Sequence, residues 1–520
     1  MLKQQLHGKT IKIFGPPGTG KTFQLLRRIK YFLRKGISPH QIAYFSFTNK
    51  AVDETIERIS NSLPGYKPDD FPYFATIHSF ARSQFSNIPV LDPNDDMMQF
   101  HSDYGTVKIG FLQGFEDQKI FNNWSLRIYD RARNMKQDPV ALYKQQQKKN
   151  VRLPQFISII AAYERFKSFE VAPGIRQNDR LDFTDMLEKF VNEGHVPKFK
   201  VLMIDEAQDL TPLQWDVVIK LAREAEVVYL AGDDDQAIYE WNGAEVDYFI
   251  HFPGKKKVLR KSYRIPSDIH DYSQYIASYI HGRKHKEFIP QKNVGSINTY
   301  NRLKDIPFSE HGSWIMLGRT NEIVDELRMQ AREMGIFFQD SKGRKSFDLN
   351  KWRAIQTWNR LMNNESIDRE EVQIIYTYIN EIGFGWRNIE SKRWYNIHSS
   401  QELNYDFLNV WCGLGSLRKP WTEVFNRNFP EKEKFYFEKL IDSGIDIVKN
   451  SEMIIDTIHS IKGGEADNVV IYEKSNWIAS IQNKVGLDRS SEYRVWYVGV
   501  TRAKKELHII VKSGQYGFEL

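Results

Sequence analysis

The chain has 520 residues, 41% of them hydrophobic and 27% charged, which excludes a disordered polymer and is too long for one core; about three or four domains are expected. Lys and Arg number 73 against 66 Asp and Glu, a formal charge of +7, a mildly basic balance that permits a polyanionic partner without demanding one. Cys412 is the only cysteine, so an intrachain disulfide and a cysteine metal site are excluded; with no apolar signal core in Met1–His7 and no membrane-length stretch, a cytoplasmic protein without a membrane partner is expected.

In chain order, Ile11-Lys12-Ile13-Phe14 reads as a short buried strand. It runs into Gly15-Pro16-Pro17-Gly18-Thr19-Gly20-Lys21-Thr22, and a helix opens near Thr22 and continues over Phe23–Arg34. The loop has the G-x-x-x-x-G-K-T spacing of a phosphate-binding P-loop. Its glycines let backbone N–H groups curl around an anion at a helix N-terminus. Lys21 then reaches the β- and γ-phosphates, and the Thr22 hydroxyl holds Mg²⁺. A strand at Gln41–Phe47 and a helix at Ala51–Ser60 follow, an alternation that argues for a parallel sheet covered on both faces. From 86 to 178 no strand pattern is clear; helices are expected at Trp124–Met135, with Arg127, Arg131 and Arg133, and at Val151–Phe169. Strands resume at Phe199–Ile204, Val227–Ala231 and Lys257–Leu259. A second α/β unit starts near Pro266, with strands at Ser313–Leu317, Asn468–Tyr472 and Leu507–Val511 and a Trp-rich, mostly helical block between them. The expected division is 1–85 plus 179–265 for the first α/β domain and 86–178 for its helical insertion. The second domain takes 266–344 plus 451–520, with 345–450 as its mostly helical insertion. No internal repeat is found.

Asp205-Glu206-Ala207-Gln208-Asp209 follows the strand ending at Ile204, at the sheet rim where ligands of such folds bind. Asp205 can hold the Mg²⁺ shell and Glu206 can orient or deprotonate the attacking water; the alternative is a solvated acidic loop. Gly232-Asp233-Asp234-Asp235-Gln236 follows the next strand. Its three carboxylates can be surface charge, whereas Gln236 is placed for a γ-phosphate and water. Tyr239 and Trp241 either pack in a core or stack on bases. Arg264 and Arg502 are candidate arginine fingers, a role worth about 10³–10⁵ in rate, or else ordinary surface arginines.

Together these motifs resemble those of the UvrD/Rep/PcrA group of superfamily 1 helicases. Further segments match in order: Phe47-Thr48-Asn49-Lys50-Ala51, Thr76-Ile77-His78-Ser79-Phe80, Leu181–Leu187, Gly232–Ala244, Leu259–Arg264, Arg319-Thr320-Asn321, Thr457–Asp467 and Glu492–Lys504. The resemblance implies two RecA-like parallel-sheet P-loop NTPase domains, each with a mostly helical insertion, and ATP with Mg²⁺ in the cleft between them. It implies that Lys21, Thr22, Asp205, Glu206 and Gln236 come from the first domain with Arg264 at its end, and that Arg502 comes from the second. There Glu465 would contact the ribose, and Tyr263 is left as the stacking partner of the base. Single-stranded DNA would cross both domains. Phe47, Tyr239 and Trp241 resemble base-stacking residues; Thr48, Asn49, His78, Thr457 and His459 resemble backbone contacts. The implied activity is an ATP-dependent DNA helicase that translocates 3′→5′ on single strands and acts at single-strand/duplex junctions. The alternatives are a translocase that strips proteins from DNA, and an ATP-switched DNA-binding protein.

The sequence departs from the family at several places. Neither Gln4 nor Gln5 has the spacing of the adenine-reading glutamine, Phe23 stands where Arg is frequent, and Ser262 replaces Asn. Glu240 and Asn242 replace two customary arginines beside Trp241. With little chain after the last motif, no appended nuclease domain is expected.

Overall fold

Every residue of Ile42–Ser46 is buried, as in a strand covered on both faces. This strand (β2) sits inside the first of two parallel sheets in the computed structural model. The structure describes residues 9–92, 96–97, 99–100, 123–146, 151–168, 170–172, 175–176, 180–308, 312–379, 403–412, 418–426, 428–444, 451–474 and 489–511. Met1–His7 and parts of both insertions lie outside these residues.

The first sheet also contains β1 (Lys9–Phe14), β3 (Phe74–Thr76), β6 (Val201–Ile204), β7 (Val227–Gly232) and β8 (Lys255–Val258), in the order β3-β2-β6-β7-β1-β8. All its pairings are parallel, with Phe14 opposite Gly232 and Phe45 opposite Ile204. Side chains alternate across the sheet. Ile13 and Tyr44 enter a core with α1 (Lys21–Arg34) and α2 (Asn49–Ser62). Phe14 and Phe45 face α3 (Ile77–Ser83), α7 (Phe183–Glu193) and α8 (Pro212–Glu224). The register brings the C-terminal ends of β1, β6 and β7 side by side, so the P-loop, Asp205 and Asp233 open onto one crevice.

Between β3 and β6 lie α4 (Trp124–Asn134), α5 (Pro139–Gln145) and α6 (Leu153–Lys167). A short antiparallel hairpin, β4 (Glu170–Ala172) with β5 (Ile175–Arg176), also falls here. That hairpin corrects the strand-free reading of 86–178; strands this short carry too little alternation to be seen in sequence. Arg133 of α4 ties this insertion to α7 through Asp182 (2.8 Å) and Glu188 (2.8 Å).

The second sheet runs β11-β10-β12-β13-β9, again all parallel. Its strands are β9 (Ser296–Tyr300), β10 (Trp314–Gly318), β11 (Met453–Thr457), β12 (Ala466–Tyr472) and β13 (Ala503–Ile510). Strands β3, β9 and β11 were not expected from sequence. Ile315 and Leu317 face α10 (Ser267–Ser278) and α17 (Ser490–Val500), while Trp314 and Met316 face α11 (Asn321–Glu333). Helix α9 (Val246–His251) follows β7. Helices α12 (Leu349–Met362), α13 (Arg369–Tyr376), α14 (Tyr405–Cys412), α15 (Trp421–Val424) and α16 (Glu431–Asp442) interrupt the second unit. They share a separate core in which Trp358, Phe425 and Phe437 are fully buried. Ile238, Tyr239 and Ala244, from the loop after β7, pack in the second unit's core, so the two units meet through apolar as well as polar groups. No helix among the described residues is long and apolar enough to cross a membrane.

Candidate active site and nucleic-acid surface

The P-loop is anchored where Gly15 N–H donates to Gly232 O at 3.0 Å. Gly18 and Gly20 have φ of 70° and 79°, the left-handed region that favours glycine. A Cβ at Gly18 would also collide with Arg264. Lys21 Nζ donates to Gly15 O at 3.1 Å and lies 3.9 Å from Glu206 Oε1. The Thr22 hydroxyl donates to Asp205 Oδ2 at 2.7 Å, and Tyr44 OH reaches the same oxygen at 3.2 Å. Burial and the neighbouring Glu206 raise the Asp205 carboxyl to about 6, a cost that a cation beside it would remove. A hydroxyl and a carboxylate held this close fit Mg²⁺, a hard cation that takes one or two protein oxygens and completes its shell with phosphates and water.

Glu206 follows Asp205 in a left-handed conformation, φ 53°, a strained geometry for a residue with a Cβ. Burial would raise its carboxyl, but the ammoniums of Lys21 and Lys462 outweigh that and hold it well below the usual range. Gln208 Nε2 donates to Glu206 Oε2 at 2.6 Å and to Asp209 Oδ2 at 2.9 Å, while its Oε1 accepts Asp233 N–H at 3.0 Å. This fully buried amide thus joins the loops after β6 and β7.

Gln236 Nε2 donates to Asp233 Oδ2 at 2.7 Å, and its Oε1 accepts Arg502 Nη2 of the second unit at 2.9 Å. Arg502 is 1% exposed, so its reading as a surface arginine is overturned. Its guanidinium also donates to Val498 O at 2.9 Å and Gly464 O at 3.3 Å. Burial, then Arg264, pushes it down to about 9; a buried cation among neutral acceptors is completed by an anion. Lys462, also from the second unit, pairs with Asp209 and donates to Gln236 O at 2.7 Å. Arg264 Nε and Nη2 meet Glu465 Oε2 at 2.6 and 2.5 Å. The carboxylate read as a ribose contact is therefore bound to the candidate finger in this arrangement. Tyr263, 71% exposed, is fixed beside the P-loop by its N–H to Gly18 O at 2.9 Å. Ser262 is buried and donates to Pro17 O at 2.9 Å, so a short hydroxyl pins this turn beneath the P-loop.

Asp233, Asp234 and Asp235 are fully buried, which corrects their reading as surface charge. Lys286 Nζ lies 3.0, 2.5 and 2.9 Å from their carboxylates, and Arg283 Nη2 lies 2.6 Å from Asp235. Consecutive carboxylates read as solvated because the two cations that neutralise them are distant in sequence.

On the adjoining surface Trp241 is 49% exposed. Tyr239 is buried instead, stacked on the partly buried Phe47 at 4.9 Å and 14° and covered by Lys462 at 4.9 Å. Its hydroxyl donates to His459 O at 3.3 Å. Tyr239 is thus packed in the core in this arrangement, the first of its two readings, while Phe47 is half-buried and Trp241 exposed. Thr48 and Asn49 are exposed, and the Thr48 hydroxyl caps α2 by accepting Ala51 N–H at 3.3 Å. His78 and His459 occupy matching turns. Thr76-Ile77-His78-Ser79 leaves the edge strand β3, and Thr457-Ile458-His459-Ser460 leaves the edge strand β11. In both, Ser N–H donates to Thr Oγ1 at 3.1 Å and the two hydroxyls lie 2.8 Å apart. The same four-residue sequence thus closes one edge strand of each sheet. Burial pushes His78 down to about 4; burial with Arg319 and Lys462 pushes His459 to about 3.

Residues 2–257 match the UvrD/REP helicase N-terminal domain and residues 437–514 match the UvrD-like helicase C-terminal domain. The chain belongs to the UvrD/REP helicase family. Its two parallel sheets are the two RecA-like domains of that family. Among relatives, a probable DNA helicase II homolog of Mycoplasma pneumoniae is 24% identical over 97% of this chain and 82% of its own length. The ATP-dependent DNA helicase PcrA of Bacillus subtilis is 24% identical over 70% of this chain and 50% of its own length. That of Staphylococcus aureus is 22% identical over 74% and 53%. The chain thus spans about half the length of these PcrA relatives.

In this UvrD-family chain, Gln208, Asp209 and Lys462 were legible as parts of motifs but received no role from sequence. Their work is mutual, since each satisfies groups on a different loop. Arg283 and Lys286 lie outside any recognised motif and carried no signal.

Proposed function

We propose that this UvrD-family chain hydrolyses Mg-ATP between its two RecA-like domains and uses the cycle to move 3′→5′ along single-stranded DNA and separate duplexes. The observation that carries the reading is Arg502 of the second domain reaching Gln236 of the first at 2.9 Å. In this reading the P-loop amides and Lys21 bind the phosphates, Glu206 takes the proton of the attacking water, and Gln236 orients that water. Arg502 and Arg264 offset charge on the transferring phosphoryl, with Arg264 freed as Glu465 turns to the ribose. Mg²⁺ held through Thr22 and Asp205 supplies charge neutralisation on the phosphates. Tyr263 offers its exposed face to the base. Because Arg502 acts only when the domains meet, hydrolysis is tied to closure.

Trp241 and Phe47 supply sequence-tolerant stacking, and Thr48, Asn49, His78, Thr457 and His459 line the backbone path. Strand displacement on 3′-tailed, 5′-tailed and blunt duplexes, with ATPase measured alongside, tests the reading. ATP-dependent displacement of the 3′-tailed substrate is expected. DNA-stimulated hydrolysis without displacement would favour a translocase that strips proteins; hydrolysis indifferent to DNA would contradict the motor.

A further inference from the structure

A further polar bridge joins the domains beside the Trp241 turn. Glu240 lies in the single turn Glu240–Asn242 that presents Trp241, and its carboxylate pairs with Arg494 of α17. Arg494 is buried, and its Nε also donates to Asp234 O at 3.1 Å. The Glu240 carbonyl accepts Arg131 Nη2 of α4 at 3.3 Å. Gly243 sits against Met135, also in the first insertion, so closely that a Cβ would press into that side chain. The Trp241 turn is therefore held by its own domain, by the helical insertion and by the second domain.

Helix α17 ends just before Arg502. Arg494 of this helix holds Glu240 and Asp234 of the 232–244 loop, and Arg502, two residues past the helix end, holds Gln236 of the same loop. A buried guanidinium that loses its carboxylate keeps an uncompensated charge, so the pair favours one seat of the loop on the helix.

We propose that Glu240 is a positioning residue. Through Arg494 it fastens the Trp241 turn to the helix that carries Arg502, so that DNA engaged at Trp241 favours closure at Gln236. The inference rests on the functional reading above and adds a route by which DNA reaches the phosphate end.

The test compares wild type with Glu240→Gln, which keeps the shape and removes the charge, and with Arg494→Lys, which keeps the charge and gives up the planar fork. In Glu240→Gln, hydrolysis without DNA should stay within about twofold of wild type, while stimulation by single-stranded DNA falls about tenfold. Amide exchange of 238–244 should rise with that of 15–22 unchanged, and Arg494→Lys should fall between the two. Unchanged stimulation with unchanged exchange would overturn the proposal, as would a uniform rise of exchange across both domains, which marks a merely structural role. A wild type that DNA does not stimulate would contradict the functional reading instead; the exchange comparison then still tests the bridge itself.

Discussion

The two walls of the cleft are completed differently. On the first-domain wall the groups around the P-loop have partners from that same wall: Lys21 on Gly15, Thr22 on Asp205, Glu206 on Gln208. The second-domain wall offers Arg502, buried and donating to the neutral oxygens of Gln236, Val498 and Gly464. A wall satisfied within itself can bind a nucleotide without its neighbour, whereas a buried cation among neutral acceptors is completed by a phosphate that the other wall holds. In the proposed mechanism this contrast assigns nucleotide binding to the first wall and the timing of hydrolysis to the second.

The sharpest way to break this contrast is to disable the first wall. Lys21→Ala and Glu206→Gln should each reduce DNA-stimulated hydrolysis to background while single-strand affinity, read by fluorescence anisotropy, stays largely intact. Near-normal turnover in either variant would refute its role. Breaking the seam between the walls comes next. Lys286→Met leaves three buried carboxylates short of a cation and should destabilise the fold by about 3–5 kcal/mol, read as a lower urea midpoint. A midpoint unchanged from wild type would show that the Asp233–Asp235 cluster does not depend on Lys286.

The stacking surface separates along the same seam. Trp241→Ala should weaken single-strand binding by about 1–3 kcal/mol at matched salt. Tyr239→Ala, which removes a ring packed between the domains, should lower stability before it changes affinity in the folded protein. The reverse ranking would return Tyr239 to the DNA path. The smallest effect concerns pH. Burial holds the His78 imidazole down at about 4, and burial with Arg319 and Lys462 holds His459 at about 3, against an ordinary value of 6.5. Below about pH 6.5 the unfolded chain takes up protons that the folded chain refuses, so their contribution is fully present above 6.5 and is lost as pH falls toward 4. His78→Asn should flatten part of that decline in urea midpoints between pH 7.5 and 5; an unaltered slope would contradict the assignment.

Much of the first wall was legible in sequence because it is local. The P-loop, Asp205-Glu206 and Gln236 each follow a strand directly, and one apolar run marks where each loop must open. What sequence missed depends on partners far along the chain. Asp233–Asp235 look solvated until Lys286 and Arg283 fold over them, and the packing of Tyr239 between Phe47 and Lys462 joins groups far apart in sequence. The edge strands β3 and β11 are five residues or fewer, too short for periodicity to show, although the Thr-Ile-His-Ser segments that follow them were legible as motifs. Glu465 was assigned from resemblance alone, and its pairing with Arg264 could only be seen once both domains were in place.

The central claim is that the second wall completes chemistry it does not itself bind. Single-turnover hydrolysis by Arg502→Ala at saturating ATP and single-stranded DNA, with nucleotide affinity measured separately, tests it most directly. A fall in the hydrolysis rate of about 10³-fold or more, with ATP affinity changed little, is the expected result. Hydrolysis close to wild type, or a loss explained wholly by weaker ATP binding, would contradict it.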